Sequence, residues 1–188
     1  MNIGMIALPK RQSGAILVIS LLMLLVLTVL GVVMMQTTRM QERMAGNTRD
    51  LSAALQGSEA AVRYAEQQLA AFTSRPDTDS TSNCSKPSVA ATTVCDKNAL
   101  PVAIYDKSQF DWLSQAKVYG AATTTTTAVA QLPEQPQYTD ERLGFIRDNL
   151  DTGQDPPEGR DFFQLTGHST GMSGKTNTVV QSTYARRF

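Results

Sequence analysis

Residues 10–31 read KRQSGAILVISLLMLLVLTVLG: two cations, a glycine, then a long run of side chains that avoid water. No charged residue occurs between Gly14 and Arg39, and fourteen of the positions from Ala15 to Met35 are Leu, Ile or Val. At roughly −0.3 to −0.6 kcal/mol each, these contribute about −4 to −8 kcal/mol to entering a bilayer. As a helix, the twenty-one positions from Ala15 to Met35 rise roughly 31 Å, the depth of a hydrocarbon core. The run therefore predicts a transmembrane helix over 15–38. A secretory signal has a shorter apolar core followed by small residues at a cleavage site, whereas this run ends in MMQTTRMQERM. Lys10 and Arg11 precede it with no acid among the first fourteen residues, while Arg39, Glu42, Arg43, Arg49 and Asp50 follow in mixed sign. The basic flank places the N-terminus in the cytoplasm and the rest of the chain across the membrane.

No proline stands between Pro9 and Pro76, so the helix is free to continue beyond the bilayer. RMQERMAGNTRDLSAALQGSEAAVRYAEQQLAAF is rich in Ala, Gln, Glu, Arg and Leu, a helical composition. Leu51, Leu55, Ser58, Val62, Ala65, Leu69 and Phe72 step by three or four residues and mark one face. Glu59 and Arg63 form a favourable pair four apart on a neighbouring face. These features predict an amphipathic continuation over 39–72, with Gly46-Asn47 as the place to kink. An apolar face beyond the membrane needs a cover, and the C-terminal half of the chain is the expected one. TSRPDTDSTSNCSKPS reads as a linker and AATTTTTAVAQLPEQPQ as a proline-punctuated loop, both inside a loop region over 73–135. A short helix is expected around SQFDWLSQA, with Phe110, Trp112 and Leu113 as core candidates. Strands are expected over 138–147, 162–168 and 178–185, the last two joined through STGMSGKTN, whose glycines suit a hairpin. The predicted fold class is α+β: a long N-terminal transmembrane and amphipathic helix packed on a small C-terminal antiparallel sheet of three or four strands over 136–188.

Cys84 and Cys95 lie on the exported side, with ten residues between them. In an oxidising compartment this spacing predicts a disulfide, closing a loop that contributes roughly 2–3 kcal/mol. Two unpaired thiols are the plain alternative; zinc is disfavoured because the nearest third ligand, the single histidine His168, is far along the chain. One histidine also leaves little acid–base chemistry. No metal-ligand cluster or phosphate-binding glycine loop occurs, so no catalytic residue, metal or cofactor is assigned. His168 alternates with Phe163 and Leu165, which directs it to solvent, and Asp106, Asp111 and Asp151 read as ordinary surface. The exported part has no basic stripe, so no nucleic-acid partner is expected; Arg186-Arg187 is too small a cluster and is read as solvating the end of the last strand.

Two stretches, RQSGAILVISLLMLLVLTVLGVVMMQTTRMQERMAGNTRD and ALQGSEAAVRYAE, resemble the N-terminal region of PilX-type minor pilins of type IV pili. FFQLTGHSTGMSGKTNTVVQSTYARRF resembles the last two strands of that family, and PQYTDERLGF, more weakly, its first. The resemblance covers 11–70 and 162–188 and is slight over 73–135. It implies a type IV pilin-like fold with a prepilin leader over 1–14, cut between Gly14 and Ala15 by a prepilin peptidase at the inner membrane, with N-methylation of Ala15. Glycine at the cut leaves room for close backbone approach. The plain alternative is an uncleaved signal anchor. On the resemblance the apolar helix is kept, first as anchor and then packed among other minor and major pilins in the fibre. Pilus biogenesis, and with it cell adhesion and twitching motility, follow by the same implication.

One departure matters. Most pilins carry glutamate at the fifth mature residue, where this chain has Ile19, and no acid occurs before Glu42. A carboxylate in the membrane is costly unless paired; the resemblance implies pairing with a neighbour's N-terminal amine where the acid is present. Its absence suits a priming subunit at the growing tip, with a dispersed low-copy position as the competing reading. Two other readings share the anchor. One is a type II secretion pseudopilin, whose K-type tip subunit also lacks the acid but carries a large extra domain. The other is a stand-alone membrane-anchored adhesin, uncleaved, with 84–135 as its binding surface.

Overall fold

The computed structural model describes residues 14–81, 83–86, 92–101, 104, 110–120, 129, 132–148 and 158–188. Residues 1–13 of the expected leader, Asp106, Asp151 and the five-threonine run lie outside the described residues. Contacts divide the chain into two units, residues 1–47 and 48–188.

The first helix, α1 (Ala15–Ala71), is 57 residues long. Its backbone stays helical through Gly46 and Asn47, the expected kink site. In the first unit every described residue is exposed. The apolar run is long and apolar enough to cross a membrane.

In the second unit α1 buries Ala54, Gly57, Ser58, Ala61, Val62, Ala65 and Leu69. This corrects the expected stripe at its start: Leu51 is 54% exposed and Leu55 42%. The reason is distance. A Cβ on Gly57 would lie 2.2 Å from Ser169 Oγ, and one on Gly167 would lie 2.4 Å from the Ser58 carbonyl oxygen. Where backbones approach this closely only small side chains fit, so the seam follows Ala54, Gly57, Ser58 and Ala61 and leaves the leucines outside.

Among the described residues the sheet has six strands: β1 (Asp77–Asp79), β2 (Thr93–Cys95), β3 (Lys117–Val118), β4 (Gln137–Arg147), β5 (Gly159–Thr170) and β6 (Asn177–Arg186). The order is β1-β2-β4-β5-β6, with β3 also on β4. β4, β5 and β6 form the expected antiparallel meander. The sheet as a whole is mixed, however, because β1 pairs β2, and β2 pairs β4, in parallel. Those short strands come from the stretch read as loop; two or three paired residues leave no alternation to detect.

Side chains of β5 alternate between two covered faces. Phe163 and Leu165 join Ala61, Val62, Ala65, Leu69, Val94 and Tyr138 under α1. On the other face the disulfide Cys84–Cys95 packs with Leu100, Ile104, Phe110, Trp112 and Ala116. His168 was expected in solvent. It does point away from Phe163 and Leu165, but that face is covered: the imidazole is buried and stacks on Trp112, ring centroids 4.8 Å apart at 13°. The short helix α2 (Trp112–Gln115) is where the sequence placed it, started by Asp111, whose side chain accepts from the Leu113 N–H. Phe110 and Trp112 are core residues; Leu113, expected with them, is 62% exposed. A helix of four residues presents one inward side, and Trp112 takes it.

Candidate assembly surfaces

Gly14 is exposed, and among the described residues nothing beyond its chain neighbours and its own helix lies within 4 Å of where a Cβ would stand. Ala15 is the first residue of α1, and Ile19, one turn on, is 60% exposed. From Ile16 to Met35 the large apolar side chains are all at least 44% exposed. Hydrophobic burial is worth roughly 25 cal/mol per Å², so a surface of this composition has a large driving force toward lipid or other apolar helices.

Polar contacts fasten the second unit, the head, at both ends of its share of α1. At its start, Asp50 on α1, beyond the apolar span, holds the turn between β5 and β6. Its carboxylate accepts from Ser173 N (2.8 Å), Ser173 Oγ (2.7 Å) and Thr176 Oγ1. Gly171 in that turn has no room for a side chain, since a Cβ would meet the Asp50 carboxylate at 2.6 Å. The hydrogen bonds from Thr176 and Ser173 hold the Asp50 carboxyl below its usual range. A depressed folded value means that the latch is complete above the unfolded value of 3.8 and is lost as pH falls through the folded one. Asp50→Asn keeps one acceptor but sets an amide NH2 against these donors. We expect faster amide exchange at Ser173 and Thr176 in this variant, with the core strands unchanged.

At the far end of α1, Arg186 donates to the carbonyls of Leu69 and Phe72. This differs from the solvating role expected of Arg186-Arg187. The last carbonyls of a helix lack intrahelical partners and carry partial negative charge, so a strand-end cation is drawn to them. Arg187 pairs with Asp148 instead. Below the same end, buried Asp161 accepts from Arg75 at 2.8 Å and Arg142 at 2.7 Å. Lys117 on β3 and Asp140 on β4 form a second buried pair at 2.8 Å, and Lys117 also donates to the Thr93 carbonyl on β2 at 2.6 Å. Burial pushes the Asp140 carboxyl up against the pull of Lys117. A cleft of about 200 Å³ opens beside Asn98, Leu100, Glu141 and Gln181. Burial raises the Glu141 carboxyl there, although the Asn98 N–H donates to it at 2.6 Å.

Of the residues singled out from sequence, the structure brings Cys84 and Cys95 together, Cα atoms 5.1 Å apart and both fully buried. Gly14, Ala15 and Ile19 remain a contiguous exposed stretch. Sequence reasoning missed Asp50, Gly57, Gly167 and the two buried ion pairs. The glycines alone left a signal, one inside a helical pattern and one inside a strand pattern, each a mark of close backbone approach.

Residues 13–63 match the family model described as PilX N-terminal, and residues 52–186 match the one described as type IV pilus assembly protein PilX C-term. The matches overlap where α1 carries Ala54, Gly57, Ser58, Ala61 and Val62 against the sheet. No curated protein and no solved structure matches the chain.

Proposed function

Because this chain belongs to the PilX family of type IV pilus assembly proteins, we propose that it is a minor pilin that helps prime and assemble the fibre, at or near its tip. The observation that carries this reading is the apolar surface of α1 from Ile16 to Met35, fully displayed on a helix whose later turns are packed on a sheet. Such a surface suits lipid first and the helices of other minor and major pilins afterwards. Residues 1–14 are then a leader, held in the cytoplasm by Lys10 and Arg11. A prepilin peptidase cuts between Gly14 and Ala15 and methylates Ala15, which leaves 15–38 in the inner membrane and the head exported. The exposure of Gly14 favours access for that cut. No catalysis is assigned to the chain itself; its one histidine is committed to Trp112.

Ile19 supports the tip position. A subunit with no acid there cannot pair with the amine of a subunit above it, and at the tip none is needed. We expect Ile19→Glu to lower pilus number, because an unpaired carboxylate among apolar helices is costly. Unchanged piliation and unchanged position in the fibre would remove Ile19 from the argument. The test of the reading as a whole is intact mass from membranes of cells with an active prepilin peptidase. The expected species begins at methylated Ala15, and deletion of the chain reduces piliation. A full-length, unmethylated chain would favour a stand-alone adhesin.

A further inference from the structure

The two edges of the sheet are treated differently. At one edge β1 is three residues long and carries Asp77 and Asp79. Shortness and charge are the usual protections against pairing with a foreign strand. At the other edge β6 is ten residues long, pairs with β5 in unbroken register from Asn177 to Arg186, and has no Pro, no Gly and no charge before Arg186. Among the described residues no strand lies on its outer side.

The backbone groups on that side can be identified. Gly171 N–H donates to the Thr176 carbonyl at 2.8 Å, and this pair continues the register in which Thr170 faces Asn177. Ladder bonds fall on alternate antiparallel pairs. Thr178, Val180, Ser182 and Tyr184 therefore turn their N–H and C=O toward β5. Val179, Gln181, Thr183 and Ala185 turn theirs outward, repeating about every 6.8 Å. The strand is also held still from within. Ser182 Oγ donates to Glu66 of α1 at 3.1 Å, Arg186 is tied to the helix end, and Tyr184 packs on the core. A fixed row of alternating donors and acceptors matches one class of partner, an extended polypeptide.

We propose that the outer edge of β6 takes up an extended strand from another pilus subunit as a seventh strand of the sheet. The proposal rests on the minor-pilin reading, since a minor subunit meets other subunits rather than itself. Proline is tolerated at an edge position whose N–H faces outward, but it removes that donor. Gln181→Pro and Thr183→Pro in the full chain should therefore leave the head folded and lower piliation, by about tenfold if one bond of some 1.4 kcal/mol is lost. Ser182→Pro, at an inward position, should instead remove the protein itself. A photo-crosslinking residue at Thr183 in piliated cells should trap a different subunit. This second arm decides the matter should the proline variants be degraded. Native piliation by both stable proline variants overturns the proposal, as does a Thr183 crosslink to nothing or to a second copy of this chain. Deletion of the chain separates the two ideas: if deletion abolishes pili while the proline variants do not, the edge fails and the minor-pilin reading stands. If deletion leaves piliation intact, that reading falls and the proposal with it.

Discussion

Gly167→Leu should unseat α1 from the sheet. Gly167 faces the helix from the middle of β5, and a Cβ there would stand 2.4 Å from the Ser58 carbonyl oxygen and 2.7 Å from Val62 Cγ2. The first of these is backbone in a helix, which cannot turn aside as a side chain would. Accommodation requires α1 to lift away, opening the layer of Ala61, Val62, Ala65, Leu69, Phe163 and Leu165. Overpacking of this kind costs about 3 kcal/mol or more, and the melting temperature of the detergent-solubilised full chain should fall by roughly 10 °C. Two companions locate the cause. Val62→Ala relieves the side-chain contact but not the carbonyl one, so Gly167→Ala should stay destabilised in its presence. Gly46→Ala, at a glycine with nothing within 4 Å, should melt no lower than the native chain. An unchanged melt for Gly167→Leu would mean that the helix does not lie on β5 through these residues.

That seam also marks how far the sequence could be read. A long helix, three antiparallel strands and the hairpin between β5 and β6 were legible, because each carries a period or a turn signature over many residues. Strand ends extend beyond the expectation by one to three residues, as with Gly159–Thr170 against 162–168. Three things were not legible, each for its own reason. The buried face of α1 was read from its largest apolar residues, but close packing selects the smallest, so Leu51 and Leu55 were assigned inward while Ala54 and Gly57 were passed over. The cover on the second sheet face is gathered from short separate segments around Cys84–Cys95, α2 with Trp112 among them, and no local period tells which face of the sheet such segments meet. His168 therefore had its direction read correctly and its environment wrongly. Asp50, Asp161, Lys117 and Arg186 find partners 19 to 126 positions away, which only the folded topology brings together. The assembly surface is the reverse case: fourteen Leu, Ile and Val residues without a charge state their need for an apolar neighbour by composition alone.

Lys117→Met should be the second severe lesion, and its partner change should undo much of it. Lys117 and Asp140 are 6% and 5% exposed at their side chains, so the methionine fills the space but leaves Asp140 a buried acid without a counter-ion. Breaking such a pair costs about 3–5 kcal/mol. Adding Asp140→Leu removes the stranded charge, and the double variant should recover most of the loss. Recovery stops short of complete because the Thr93 carbonyl also loses its Lys117 donor. Titration tells this from simple loss of packing. Burial raises the Asp140 carboxyl, and Lys117 is the main influence lowering it, so without Lys117 the folded value rises further. Between the unfolded value of 3.8 and that raised value the folded chain binds more protons than the unfolded one, so stability falls as pH rises. The single variant should accordingly melt higher at about pH 5 than at about pH 8 relative to the native chain, and the double variant should show no such slope. A pH-independent deficit in Lys117→Met would place its cost in packing and leave the charge of Asp140 without consequence.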